Sequence, residues 1–198
     1  MTIHEFLGLL SVILTFAAYI PYLWSIWKRI TTPHLFSWII WGLSNGIVFL
    51  GQYQAGAGAG SWVAGVTCLL SVGMIVLSIP FGEKDIRRSD WVALCGAGLA
   101  ILLWVLTSNP LWAVILATMV DLLGFYPTIR KSFNNPYSED LSAWSITAFR
   151  SSLSFFALEA YSATTMIFPV AMFIANGSMA TMLVWRRKII GPRIKTAT

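Results

Sequence analysis

An aspartate and an arginine stand where ionised side chains are expensive. Asp121 lies about one residue from the centre of one long apolar run, and Arg150 lies at the centre of the next. A charge held mid-way along a membrane helix costs about 2.5–3.5 kcal/mol on insertion scales, so both ask for a chemical reason. Adjacent antiparallel runs would set them at one depth, where they could pair. Beyond pairing, the two are placed to contact an ionic or zwitterionic solute, with Asp121 also able to accept a proton. An ion pair that only fixes helix register is the structural alternative, since desolvation can exceed the Coulombic gain. Near the midpoints of other runs lie Thr15, Ser44, Asn45, Ser71 and Asn176. With the two charges they form a candidate substrate-binding or coupling layer.

Other chemistry finds little footing. No HExxH and no cysteine–histidine arrangement occurs, so no catalytic residue is assigned and an enzyme is not expected. His4 and His34 have no partner at metal-ligand spacing, and no metal or cofactor is expected. All five lysines lie at boundaries or in loops, which disfavours a retinal Schiff base. Cys68 and Cys95 sit inside apolar runs, where they act as small hydrophobes.

These positions presuppose long apolar helices, and the composition supplies them. Of 198 residues, 57% are hydrophobic and 11% charged, against about 25% charged in a soluble domain. Lipid is therefore the expected solvent. A helix needs about 20 apolar residues to cross the hydrocarbon core. Seven segments qualify or nearly do: Phe6–Trp27, Leu35–Tyr53, Trp62–Pro80, Trp91–Leu106, Leu111–Ile129, Leu141–Ala160 and Thr164–Trp185. Trp27, Trp62, Trp91, Trp112 and Trp185 lie at the ends of runs, where an indole satisfies both its apolar ring and its N–H. The opening Met-Thr-Ile-His-Glu lacks the positive n-region of a signal peptide, so the first run is expected to be retained.

The net charge of +5 does not point to nucleic acid, because the basic residues fall in short clusters between runs. Lys28 and Arg29 follow the first span, Lys84, Arg87 and Arg88 the third, and Arg130 and Lys131 the fifth. Arg186, Arg187, Lys188, Arg193 and Lys195 follow the seventh, and the second, fourth and sixth connections carry no lysine or arginine. By the positive-inside rule the amino terminus is expected outside and the carboxyl terminus in the cytosol.

The chain also reads as a duplication. An offset of 106 lays Leu14–Tyr53 over Val120–Glu159, matching Pro21 with Pro127, Trp38 with Trp144, Thr15 with Asp121 and Ser44 with Arg150. The small-xxx-small pair Gly42 and Gly46 meets Ala148 and Ser152, a spacing that lets helices approach closely in lipid. Two three-span units joined directly would be inverted, and one span between them restores a common orientation. The expected organisation is 1–81 as the first three-helix repeat, 82–108 as linker helix, 109–188 as the second repeat and 189–198 as a cytosolic tail.

Tyr19-Ile20-Pro21-Tyr22, Lys28-Arg29 and Leu35-Phe36-Ser37-Trp38, with their counterparts Phe125-Tyr126-Pro127-Thr128, Arg130-Lys131 and Asp140-Leu141-Ser142, resemble the PQ-loop and SWEET superfamily. Tyr22 and Thr128 stand where that family has glutamine. The resemblance implies an all-α membrane fold of seven transmembrane helices in a 3+1+3 plan of parallel repeats, with substrate held at mid-membrane. In the family, asparagines of the third and seventh helices take part; Asn176 fits the seventh, whereas Leu70 and Ser71 leave the third without one. Pro21 and Pro127 cannot bond the carbonyls of Ala17 and Leu123, and each reads as a cytosolic-side hinge or, alternatively, as a static kink accommodated by its neighbours. Trp38 and Trp144 read as belt residues or as aromatic flanks of the cavity. Glu159 reads as a solvated outer-end carboxylate.

The expected function is transport of a small polar or zwitterionic metabolite of the sugar, amino-acid or nucleoside class, with the proton as a candidate coupling ion. The alternative is a seven-helix membrane receptor or sorting protein that binds without transporting. Absence of long loops fits a bacterial inner (plasma) membrane, and a homo-oligomer is left open.

Overall fold

The computed structural model describes residues 1–28, 35–82, 109–134, 136–137, 139 and 141–191, together with nine residues between 83 and 108. Among the described residues every regular element is helical. α1 is Ile3–Trp27, α2 Leu35–Gln54 and α3 Trp62–Phe81, with a short 3-10 turn, Gly58–Ser61, leading into α3. Arg88, Trp91, Val92, Cys95, Gly96, Gly98, Leu99, Leu102 and Leu106 are each helical, and these residues within 88–106 are designated α4. α5 is Pro110–Asn134, α6 Leu141–Phe156 and α7 Ala163–Ile190. The basic residues Arg29, Lys84, Arg87, Arg193 and Lys195, and His34, lie outside the described residues, as do 192–198 of the tail.

Three stretches, Ile3–Trp24, Gly58–Phe81 and Ala163–Ile190, are long and apolar enough to cross a membrane. At 1.5 Å per residue, the shortest of them, with 22 residues, spans about 33 Å, which covers a hydrocarbon core of about 30 Å. The chain is an integral membrane protein. Its outward surface agrees: Leu69, Val72, Val76 and Ile79 of α3 and Phe173 and Ile174 of α7 are exposed apolar side chains, and Trp27, Trp62, Trp91, Trp112 and Trp185 are all exposed.

Local signals set the helix ends. Thr2 caps α1 and Ser162 caps α7, each through a reciprocal box with the third helical residue, Glu5 and Thr165 respectively. α6 stops at Phe156, four residues before the boundary expected from hydropathy. There the chain leaves the helix to pair with the α2–α3 loop, where the Glu159 N–H donates to the Ala57 carbonyl at 3.1 Å. α7, conversely, runs five residues past the span end expected at Trp185.

The helices close into a ring in the order α1, α3, α2, α5, α7, α6 and back to α1. In each half the third helix therefore lies between the other two. The small residues explain the tightest of these seams. A Cβ on Gly42 would lie 3.2 Å from the Ser71 Cβ, and one on Gly46 3.3 Å from the Cys68 Sγ, so both glycines face α3. α4 touches the ring at Gly96, where a Cβ would lie 2.9 Å from Val120. Ile47, Val48, Ala64, Ala113, Val114, Ala117 and Phe168 form a core that joins α2, α3, α5 and α7.

One end of the ring is tied across the two halves. The Ser154 hydroxyl donates to the Gly60 carbonyl at 2.9 Å, the Ala59 N–H to the Glu159 carboxylate at 3.3 Å, and the Gln52 amide to the Thr165 carbonyl at 2.9 Å. Gly58 has φ +55°, and a side chain there would run into the Glu159 carboxyl. Glu159 is exposed as expected, yet it is also bound to the neighbouring loop. At the opposite end, Arg186 donates to the Phe133 carbonyl and Arg187 to those of Pro136 and Glu139, holding the α5–α6 connection against α7.

Candidate functional site

The polar side chains singled out in the sequence turn inward. Thr15, Ser44 and Ser71 are fully buried, and Asn45, Asp121 and Asn176 nearly so. Most are neutralised along their own helices, by donating to the carbonyl four residues back: Thr15 to Ser11, Asn45 to Trp41, Ser71 to Thr67 and Asn176 to Met172, at 2.7–2.9 Å. This is the economical state for a hydroxyl or amide in an apolar bundle, because the donor is satisfied without a neighbour.

The charges are placed differently. Arg150 of α6 sends Nη1 to the Thr15 hydroxyl of α1 at 3.0 Å and to the Thr67 hydroxyl of α3 at 3.2 Å. Its Nε is enclosed and has no partner. Asp121 of α5 is 5% exposed, with Oδ1 buried and unbonded, and its neighbour is the Ser44 hydroxyl of α2, which adjoins it without a hydrogen bond of proper geometry.

The expected Asp121–Arg150 ion pair is not formed. The cause is the ring order. α7 lies between α5 and α6, so helices adjacent in sequence are not adjacent in space. Each charge instead meets a neutral hydroxyl from the other half, Arg150 with Thr15 and Ser44 with Asp121. These are the residues that the 106-residue offset matches, so the two crossings correspond in sequence position while their charges are opposite.

No family model, curated protein or solved structure matches this chain.

Two members of the site were not singled out beforehand. Thr67 is one turn before Ser71 on the same inward face, a spacing that could have drawn attention to it. Tyr19, one turn after Thr15, lies within electrostatic reach of both Arg150 and Asp121 and approaches Ser71. It also packs edge-on against Trp38, with ring centroids 5.8 Å apart. Trp38 is buried among Tyr19, Tyr22 and Trp41, so it is an interior aromatic, not a belt residue. Trp144 is half-buried, 5.5 Å from the Phe125 ring, and donates its indole N–H to Glu139 at 3.2 Å. Pro21 is exposed on the outward face beside Trp24 and Trp27, with α1 continuous through it. Pro127 lies within α5, and its side chain lies outside the described residues.

Gly42-Leu43-Ser44-Asn45-Gly46 spells G-x-S-x-G, the letters of a hydrolase nucleophile elbow, a match that the expectation of no such motif overlooked. That motif works by exposing its serine on a strained strand-to-helix turn. Here it lies inside the continuous helix α2, Ser44 is fully buried, and both glycines serve the α3 seam. Among the described residues no cluster of three or more potential metal ligands occurs.

Proposed function

We propose that this protein is a carrier that moves a small polar metabolite across a membrane by alternating access through the layer around Arg150 and Asp121. The observation that carries the reading is the pair of crossings, Arg150 against Thr15 and Asp121 against Ser44, each bringing one charge without a counter-ion to a contact between helices far apart in the chain. A charge kept only to fix register would be expected to have its hydrogen-bonding capacity filled, because an unfilled one carries the full desolvation penalty. Two such groups with unfilled buried atoms are better accounted for as a site that a solute completes.

The architecture in this proposal is seven transmembrane helices in a 3+1+3 arrangement of parallel repeats, similar to the PQ-loop and SWEET plan, with the amino terminus outside. Support comes from the ring order, which is unchanged when α1, α2 and α3 are exchanged with α5, α6 and α7. A carrier of this kind rocks one half against the other around a central site. The ties between loops 55–61 and 157–162 belong to a state closed at that end, and Pro21 and Pro127 are the positions at which α1 and α5 would bend.

Counterflow in proteoliposomes tests the reading. Vesicles loaded with a stabilising solute should accumulate the labelled form of it transiently, and Arg150→Gln should abolish the accumulation. Tight binding with no counterflow would instead identify a receptor.

A further inference from the structure

Arg150 and Asp121 leave specific atoms unused. Nη1 of Arg150 is taken by Thr15 and Thr67, whereas Nε is enclosed without an acceptor, and no acceptor meets Nη2 among the described residues. Nε and Nη2 form the edge through which a guanidinium binds a carboxylate with two parallel hydrogen bonds. The engaged nitrogen is the one that this mode does not need. On the other side, Oδ1 of Asp121 is buried and lacks a donor. No ion pair joins the two residues.

We infer that the solute is a zwitterion of the amino-acid type, its carboxylate on the Nε–Nη2 edge of Arg150 and its ammonium on Oδ1 of Asp121. The inference rests on the carrier reading above and narrows it. A site holding one positive and one negative group apart is neutral as a whole, and a neutral solute with the opposite dipole satisfies both without adding net charge to an apolar interior. A sugar or nucleoside supplies hydrogen bonds but leaves each charge without a counter-ion. A singly charged solute compensates one group and strands the other. Thr15 and Thr67 are positioning residues, because their hydroxyls fix the guanidinium with its carboxylate-binding edge free. Ser44 adjoins the Asp121 carboxylate from the opposite half.

The test uses the purified full chain and a panel of named probes. Glycine, L-alanine, L-leucine, γ-aminobutyrate and glycine betaine are the zwitterions. L-lactate and L-alaninamide carry one charge each, and D-glucose and uridine carry none. Thermal stability measures binding, because a ligand of the folded state raises apparent stability, and counterflow measures transport. At least one zwitterion should stabilise the protein and exchange. Its single-charge analogues should bind at least about tenfold more weakly, as expected where a buried polar group is left unpaired. Asp121→Asn should collapse the preference for the zwitterion over the carboxylate-only analogue; if that variant does not fold, the analogue ratio on the unmodified chain decides.

Stabilisation and exchange by glucose or uridine, with the zwitterions silent, overturns the inference and leaves the carrier standing. Equal binding of a zwitterion and its single-charge analogues also overturns it. A zwitterion that binds with the expected preference but never exchanges supports the site and overturns the carrier. Failure of every probe in both assays overturns both.

Discussion

Gln52 hands a side-chain N–H to the carbonyl oxygen of Thr165 at 2.9 Å, and this carbonyl is the one that α7 cannot use. Its helical partner would be the N–H four residues on, where Pro169 stands. An amide from α2 thus fills a vacancy that a proline opens in α7, and it joins the two halves at the end where their loops interlock.

Gln52→Leu should therefore orphan a buried carbonyl and cost about 1–3 kcal/mol. Adding Pro169→Ala should recover part of the loss, because the alanine N–H closes the helical bond. Unfolding in mixed micelles measures both. A double variant no more stable than Gln52→Leu alone would show that the carbonyl is not the cause.

At the Arg150 crossing, Thr15→Val removes one of two acceptors from an interior cation. Hydrogen bonds to charged groups contribute about 1.5–3 kcal/mol, and the variant should lose stability of that order. Combining it with Arg150→Met, which replaces the charge by an apolar side chain of similar length, should return stability most of the way while leaving transport abolished. Opposite responses of stability and transport in one variant separate the site from the scaffold.

The α2–α3 seam makes a steric prediction. Gly46→Leu must push α2 from Cys68 and should cost about 1–3 kcal/mol, as overpacking does. Gly73→Leu is the control, because nothing lies within 4 Å of a Cβ there, and a change confined to about 0.5 kcal/mol is expected. Equal losses at both positions would refute a close-packed seam.

Topology can be read by labelling. With Cys68 and Cys95 replaced by alanine, a cysteine at Asn109 should react with an impermeant maleimide in intact cells, and one at Lys188 only after permeabilisation. The reverse pattern would invert the orientation drawn from the loop charges.

Much of this molecule is written in local patterns. Apolar length gave the helix boundaries to within a few residues, because the cost of burying polar backbone in lipid leaves little freedom over where a helix begins. α6 departed from its expected end because Glu159 and Ala57 pair across 102 residues, and no window of sequence reports such a partner. The inward polar layer was legible too, since hydroxyls and amides at mid-helix have few places to go. Thr67 was within reach of the same reasoning; Tyr19 stood out only as part of the motif around Pro21, because its position in the chain does not say which charges of distant helices it faces.

Tertiary structure alone decided who meets whom. From the sequence, Asp121 and Arg150 were natural partners: opposite charges at one depth on consecutive helices. Ring order separated them by inserting α7 between α5 and α6, and gave each a hydroxyl from the other half. Sequence determined that two charges sit in the interior, because their identity and depth are local properties. Which neighbours they have, and that Nε of Arg150 and Oδ1 of Asp121 remain buried without a partner, depends on how helices far apart in the chain pack together.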